Sequence, residues 1–215
     1  MKHYARSTFA LAFFMLGTQS VTASSFTGNF SMDDDVKLFN FSLATASTAT
    51  LHTLSFAGGI NADGALIADG GFTPILSLFD GAGNFLTRSA DPSGCNSSNP
   101  ANPDPVTGNC WDASISALLA IGNYTLALTE YDNFANQPTL SDGFFQDGQG
   151  NFTGLEFIGQ PGSFIAPNGV QRDNHWAVDL NFVDIPLAAP EPGSLPLAII
   201  GLTALYSFTR RRTVF

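Results

Sequence analysis

The chain has 215 residues, 44% of them hydrophobic, and sets 18 acidic side chains against 8 basic ones for a net charge of −10. That hydrophobic share builds a core and excludes a disordered chain, and the length allows one domain beyond the terminal segments. So acidic and lysine-poor a protein does not hold nucleic acid by counterion release, which excludes nucleic acid as a partner.

The N-terminus reads as a secretory signal peptide over residues 1–23. Lys2 and Arg6 supply its positive region, Phe9 to Leu16 its short apolar core, and Val21-Thr22-Ala23 a small-residue cleavage site. The expected handlers are the secretion machinery and signal peptidase. Residues 24–189 remain as the domain. Seventeen of the acids but only three basic residues, Lys37, Arg88 and Arg172, lie there, a balance of −14. Such a surface stays soluble and attracts cations, calcium among them.

The domain reads as strands. Val36 to Leu43 alternates around its aromatics, and Thr48 to Phe56 is rich in threonine and leucine. Pro74 to Phe79 leads through Asp80-Gly81-Ala82-Gly83-Asn84 into Phe85-Leu86-Thr87, the signature of a hairpin. Gly122 to Tyr131 and His175 to Val183 alternate with period two. Ala113 to Ala120 is expected to form one or two helical turns at most. The turn at Asp80 is echoed by Asp147-Gly148-Gln149-Gly150-Asn151-Phe152, and both spell tight turns that need positive φ. Many short strands and 20 phenylalanines predict an all-β fold, a single jelly-roll-like antiparallel β-sandwich.

Cys95 and Cys110 flank a stretch rich in Pro, Asn, Ser and Gly. Outside the cytoplasm they are expected to pair, closing a loop of about 15 residues and contributing roughly 3 kcal/mol. Neither thiol has the spacing of a metal or redox motif.

The chain ends in three parts: Pro190-Glu191-Pro192, an apolar run from Leu195 to Phe208, and Arg210, Arg211 and Arg212. A helix over that run would cover roughly 21 Å of a hydrocarbon core about 30 Å thick, a short transmembrane helix. The arginines favour the cytoplasmic side and leave the domain outside. Pro-Glu-Pro makes an exposed, extended hinge open to a processing enzyme.

This tail, residues 190–215, resembles the PEP-CTERM sorting signal of Gram-negative bacteria. The resemblance implies an exosortase as partner, a transient anchor in the inner membrane, and delivery to the cell surface or extracellular matrix. A second resemblance runs through Asp33-Asp34-Asp35-Val36 with Leu38, Phe39 and Phe41, then Ile75 to Asp80 with Gly83-Asn84, then Gly122 to Leu126. That order is similar to bacterial pre-peptidase C-terminal domains, which are small jelly-roll-like sandwiches. It covers about half of the domain, with insertions at 57–72, 89–112 and 132–172, and it bears on fold more than on activity.

Chemistry is sparse. His52 lies within a strand as a surface or packing residue. His175 stands beside Asp173 and Trp176, but two residues apart on an extended chain they need not face each other. No His-Glu-x-x-His zinc helix or Gly-x-Ser-x-Gly elbow occurs. Glu130 and Glu156 are the domain's two glutamates and the candidates for carboxylate chemistry on a glycan. Asp33, Asp34 and Asp35 form the best metal candidate: three adjacent carboxylates repel, and calcium would relieve them. Tyr131-Asp132-Asn133 would add oxygen ligands if the fold brought it close. Trp111 either packs under its own loop or stacks on sugar rings. The expected function is that of an exported, non-enzymatic structural or adhesive protein of the cell envelope or matrix, with extracellular polysaccharide as a partner. A calcium- or carbohydrate-binding module is the alternative, and a secreted glycan hydrolase the next.

Overall fold

The computed structural model describes residues 20–90 and 103–185. Ten strands run through them: β1 (Val21–Asn29), β2 (Lys37–Leu43), β3 (Ser47–Thr53), β4 (Gly59–Ile60), β5 (Leu66–Ile67), β6 (Pro74–Asp80), β7 (Phe85–Ser89), β8 (Ser114–Leu119), β9 (Gly122–Glu130) and β10 (His175–Asp184). Among the described residues the helical elements are a 3-10 turn, Leu140–Asp142, and one short helix, α1 (Thr153–Ile158). One sheet has the order β1-β10-β3-β8, the other β2-β9-β6-β7, and β4 pairs with β5. All these pairings are antiparallel. Leaving β4 and β5 aside, the chain passes from sheet to sheet at every step except the β6–β7 hairpin. That is the connectivity of an eight-stranded jelly roll.

Period-two alternation builds the core. Phe39 and Leu43 of β2, Leu126 and Leu128 of β9, and Leu76 and Leu78 of β6 face Leu51 of β3, Ile115 and Leu119 of β8, and Trp176, Val178, Leu180 and Phe182 of β10. Each such side chain contributes roughly 1.5–3 kcal/mol by leaving water. β6 is buried on both faces, because Phe79 packs outward against Ala127 of β9 and against Ala135 and Phe144 of a covering loop. This explains its unbroken apolar run.

Three expectations change. Ala113 to Ala120 is a strand, not a helical turn. Ala113, Ile115, Ala117 and Leu119 point into the core while Leu118 is exposed, and that outward leucine masks the alternation in the sequence. β1 is a further edge strand, and it begins inside the expected signal peptide. Val21, Thr22 and Ala23 pair with Val183, Phe182 and Asn181, and a chain beginning at Ser24 keeps the pairs from Ser24↔Leu180 to Asn29↔His175. The insertion at 57–72 carries the β4–β5 hairpin, and that at 132–172 carries the 3-10 turn and α1.

No helix among the described residues is long and apolar enough to cross a membrane. The expected spanning segment, the Pro190-Glu191-Pro192 motif, the Arg210–Arg212 cluster and the signal-peptide core all lie outside the described residues. So does Cys95; its expected partner Cys110 is buried and is not a free thiol.

Candidate functional site

The densest chemistry lies at the end of the sandwich where the loop before β2 meets the end of β9 and the segment leading into α1. Asp33, Asp34 and Asp35 stand in that loop, and the fold turns their carboxylates to three different partners. Asp33 is 0% exposed. Its Oδ2 accepts the Thr153 amide at 2.9 Å and the Thr153 hydroxyl at 2.5 Å, and its Oδ1 accepts the Phe164 amide at 2.8 Å. Asp34 Oδ2 accepts the Gly150 amide at 2.8 Å. Asp35 Oδ2 reaches back to the amides of Ser31 and Met32 at 2.5 and 3.2 Å.

The expected neighbour does come close. Asn133 donates its side-chain amide to the Asp34 carbonyl at 3.1 Å, and its Oδ1 accepts the Gln146 amide at 2.9 Å. Thr129 donates its hydroxyl to the Asn133 carbonyl at 2.7 Å. Gly148 and Gly150 take φ of 79° and 65°. The second Asp-Gly turn thereby presents its Gly150 amide to Asp34. The first turn is closed by its own aspartate: Asp80 Oδ1 accepts the amides of Ala82 and Asn84 at 2.9 and 2.8 Å.

Glu130, at the end of β9, is 0% exposed. Burial pushes its pKa well above the usual carboxylate range, and the charge of Asp33 adds to the rise; the Thr73 amide and Arg172 pull more weakly the other way. Burial thus favours the uncharged form, and the side chain lies in the interior, not as an accessible general acid at a strand end.

Asp132 and Glu156 form a second pair that the sequence does not reveal. Burial raises both. Glu156 is raised further by the charge of Asp132 and by the hydrogen bond between the two carboxyls, so the two titrate as one pair. Around the pair, Tyr131 packs against Phe134 and Phe157 with ring centroids 5.5 and 6.2 Å away, and Arg88 lies 4.6 Å from the centre of the Phe134 ring. Among the described residues no group of three or more His, Cys, Asp and Glu side chains could hold a metal ion.

The remaining candidates sit elsewhere. His175 Nδ1 does contact Asp173 Oδ1, and its Nε2 lies 3.1 Å from the Ala68 carbonyl. His52 Nε2 is 3.6 Å from Asp179 Oδ2. Asp179 also accepts the Ser25 hydroxyl at 2.6 Å and the Ala62 amide at 2.8 Å, so the aspartate stands between the serine and the histidine. That order leaves the histidine unable to draw the serine proton. Trp111 is buried and packs on Phe56 at 5.1 Å.

On the outer face of the second sheet, Asn40 and Ser42 of β2 stand opposite Thr125 and Asn123 of β9. With Gly81 they line a hollow of about 430 Å³. The adjoining hollow, about 320 Å³, shares Asn40 and Phe41 and is edged by Phe26 and Leu38.

No protein-family model matches the chain, and no curated protein matches it. Among solved structures the chain is similar to the crystal structure of the pre-peptidase C-terminal domain of a collagenase from Bacillus anthracis. The TM-score is 0.33 and the identity 11%, over 73% of this chain and 85% of that one.

Proposed function

We propose that this is an exported, non-enzymatic β-sandwich protein of the cell envelope or extracellular matrix, with a structural or adhesive role. The observation that carries the reading is the use made of carboxylates at the loop cluster: Asp33, Asp34 and Asp35 each accept backbone N–H groups, Asp33 and Asp34 tying distant loops together and Asp35 closing its own turn. Acids used as struts hold a scaffold, and a hydrolytic pair needs carboxyl groups facing a substrate. The terminal segments supply the address. The signal peptide exports the chain, and the PEP-CTERM-like tail anchors it in the inner membrane until an exosortase processes it. The Cys95–Cys110 bond belongs to the same reading.

The test is intact mass on protein recovered from the native cell surface, beside the same chain in a host lacking the processing enzyme. The expected result is a C-terminus near Pro190 in the first and retention of Arg210–Arg212 in the second. A full-length C-terminus in both would make this a single-span membrane protein and remove the matrix role. A glycan or peptide turned over by the purified protein would overturn the non-enzymatic part.

A second reading, a carbohydrate- or calcium-binding module, is favoured in its carbohydrate half by the uncharged polar hollow on β2 and β9. A melting temperature that responds equally to calcium and to matched magnesium chloride would remove its calcium half.

A further inference from the structure

The hollow on the second sheet is lined by Asn40, Ser42, Asn123 and Thr125 with Phe41, Tyr124 and Gly81, none of them charged, in a domain that carries −14. Ser42 donates its hydroxyl to Asn123 Oδ1 at 2.6 Å, and Thr125 donates to Asn40 Oδ1 at 2.9 Å. Each bond fixes an amide by its oxygen. Among the described residues the Nδ2 groups of Asn40 and Asn123 have no partner, so two oriented donor groups face the hollow together with the free lone pairs of two hydroxyls. Gly81 forms part of the wall, where a Cβ would meet the Asn123 carbonyl at 3.1 Å. Across β2 the adjoining hollow supplies apolar surface: Phe26 and Leu38 are each 41% exposed, and Phe26 packs on Phe39 with centroids 5.1 Å apart.

We infer that this surface binds a neutral polysaccharide chain laid across β2, with sugar hydroxyls on Asn40, Ser42, Asn123 and Thr125 and a sugar ring face on Phe26. The inference deepens the carbohydrate half of the second reading. A pyranose is apolar on its faces and carries a rim of groups that both donate and accept. Fixed amide donors beside hydroxyl acceptors match that rim, and an exposed aromatic ring matches the face. Charge selects among polysaccharides. No charged side chain lines the polar hollow, Lys37 is the single charged side chain lining the adjoining one, and the acidic domain as a whole repels polyanions.

Affinity electrophoresis of the full chain in mild detergent tests this, with gels containing dextran, a β-1,3-glucan or alginate. At least one neutral glucan is expected to slow the protein, and alginate is expected not to. Replacing Asn40→Asp and Asn123→Asp together keeps the acceptors of Ser42 and Thr125, removes both donors, and is expected to weaken retardation about tenfold or more. Thr125→Val keeps the shape, removes one hydroxyl and is expected to weaken it several-fold. The inference is overturned if neither neutral glucan slows the protein, if alginate alone does, or if these variants are slowed like the parent chain. Failure here beside a processed tail in the mass experiment removes the glycan site and leaves the export reading standing.

Discussion

Glu130 is a fully buried acid, and its effect on stability has a definite sign. Its pKa is higher folded than unfolded, so the folded state holds the proton more tightly. Below the ordinary glutamate value near ~4.3 the residue is neutral in both states and costs nothing extra. As pH rises above that value the unfolded chain releases the proton first, and stability falls by up to about 1.4 kcal/mol per pH unit until the folded pKa is reached. Glu130→Gln cannot ionise. The stability difference between Glu130→Gln and the parent is therefore expected to move in favour of the variant from pH 5 to pH 8, read from urea unfolding at each pH; parallel curves would show that Glu130 keeps its ordinary pKa. Asp33 is the contrasting residue. Asp33→Ala strands the Thr153 amide and the Phe164 amide in the interior. Buried donors left unmet cost about 1–3 kcal/mol each, so a loss of roughly 3 kcal/mol or more is expected. The loss should be the same in calcium and in chelator, because the strut role needs no ion. A loss seen only in calcium would restore Asp33 as a metal ligand.

At the scale of elements, the segment before β8 is held by one cation. Arg172 donates to the Gly71 carbonyl at 3.0 Å, the Phe56 carbonyl at 2.5 Å and Asp104 Oδ1 at 3.1 Å, and its guanidinium lies 3.8 Å from the centre of the Phe56 ring. Burial pushes the Asp104 pKa up, but the Thr107 donors and Arg172 outweigh it and leave the group below its usual value. Removing one partner of such a buried pair costs about 3–5 kcal/mol. Arg172→Ala is expected to lose that much, and Arg172→Lys most of it, because an ammonium cannot span three acceptors and a ring face. A Lys variant with the parent's urea midpoint would refute the clamp. Nothing in the local sequence announces it, since its ends lie 68 residues apart. The same contrast explains what was legible. β2, β3, β6, β9 and β10 showed in alternation or in an apolar run, because each buries one face or both. β1 did not: its segment VTASSFTGN is small and polar, it is an edge strand, and its tie is backbone pairing to β10. At the loop cluster the carboxylates were visible as residues, but their partners were not. Asp33 and Thr153 are 120 positions apart, and only the closed sandwich makes them neighbours.

For the whole molecule, the acids fall into two groups that act on opposite sides of one pH window. Glu130, Asp112, Asp132 and Glu156 are raised, chiefly by burial. Asp80 is lowered, chiefly by its hydrogen bonds from Asn84, and Asp104 is lowered by its donors against the opposing effect of burial. The raised group favours the folded state while protonated, and that advantage is lost as pH climbs above the ordinary carboxylate value near ~4. The lowered group favours the folded state while ionised, and that advantage is lost as pH falls below the same value. Stability is thus expected to peak at mildly acid pH, about 4–5, and to decline toward pH 8. Mutual repulsion among 17 acids against three basic residues in 24–189 adds to the decline, because it grows as the carboxylates ionise. The two contributions separate by ionic strength. Raising sodium chloride from about 0.01 to 0.15 M shortens the Debye length from about 30 to 8 Å and screens the surface charges, but it leaves interior groups nearly untouched. At pH 7.5 salt is expected to raise the melting temperature by a few degrees without moving the pH of the maximum. A maximum that shifts to neutral pH in salt would assign the whole effect to the surface and take the interior acids out of the account.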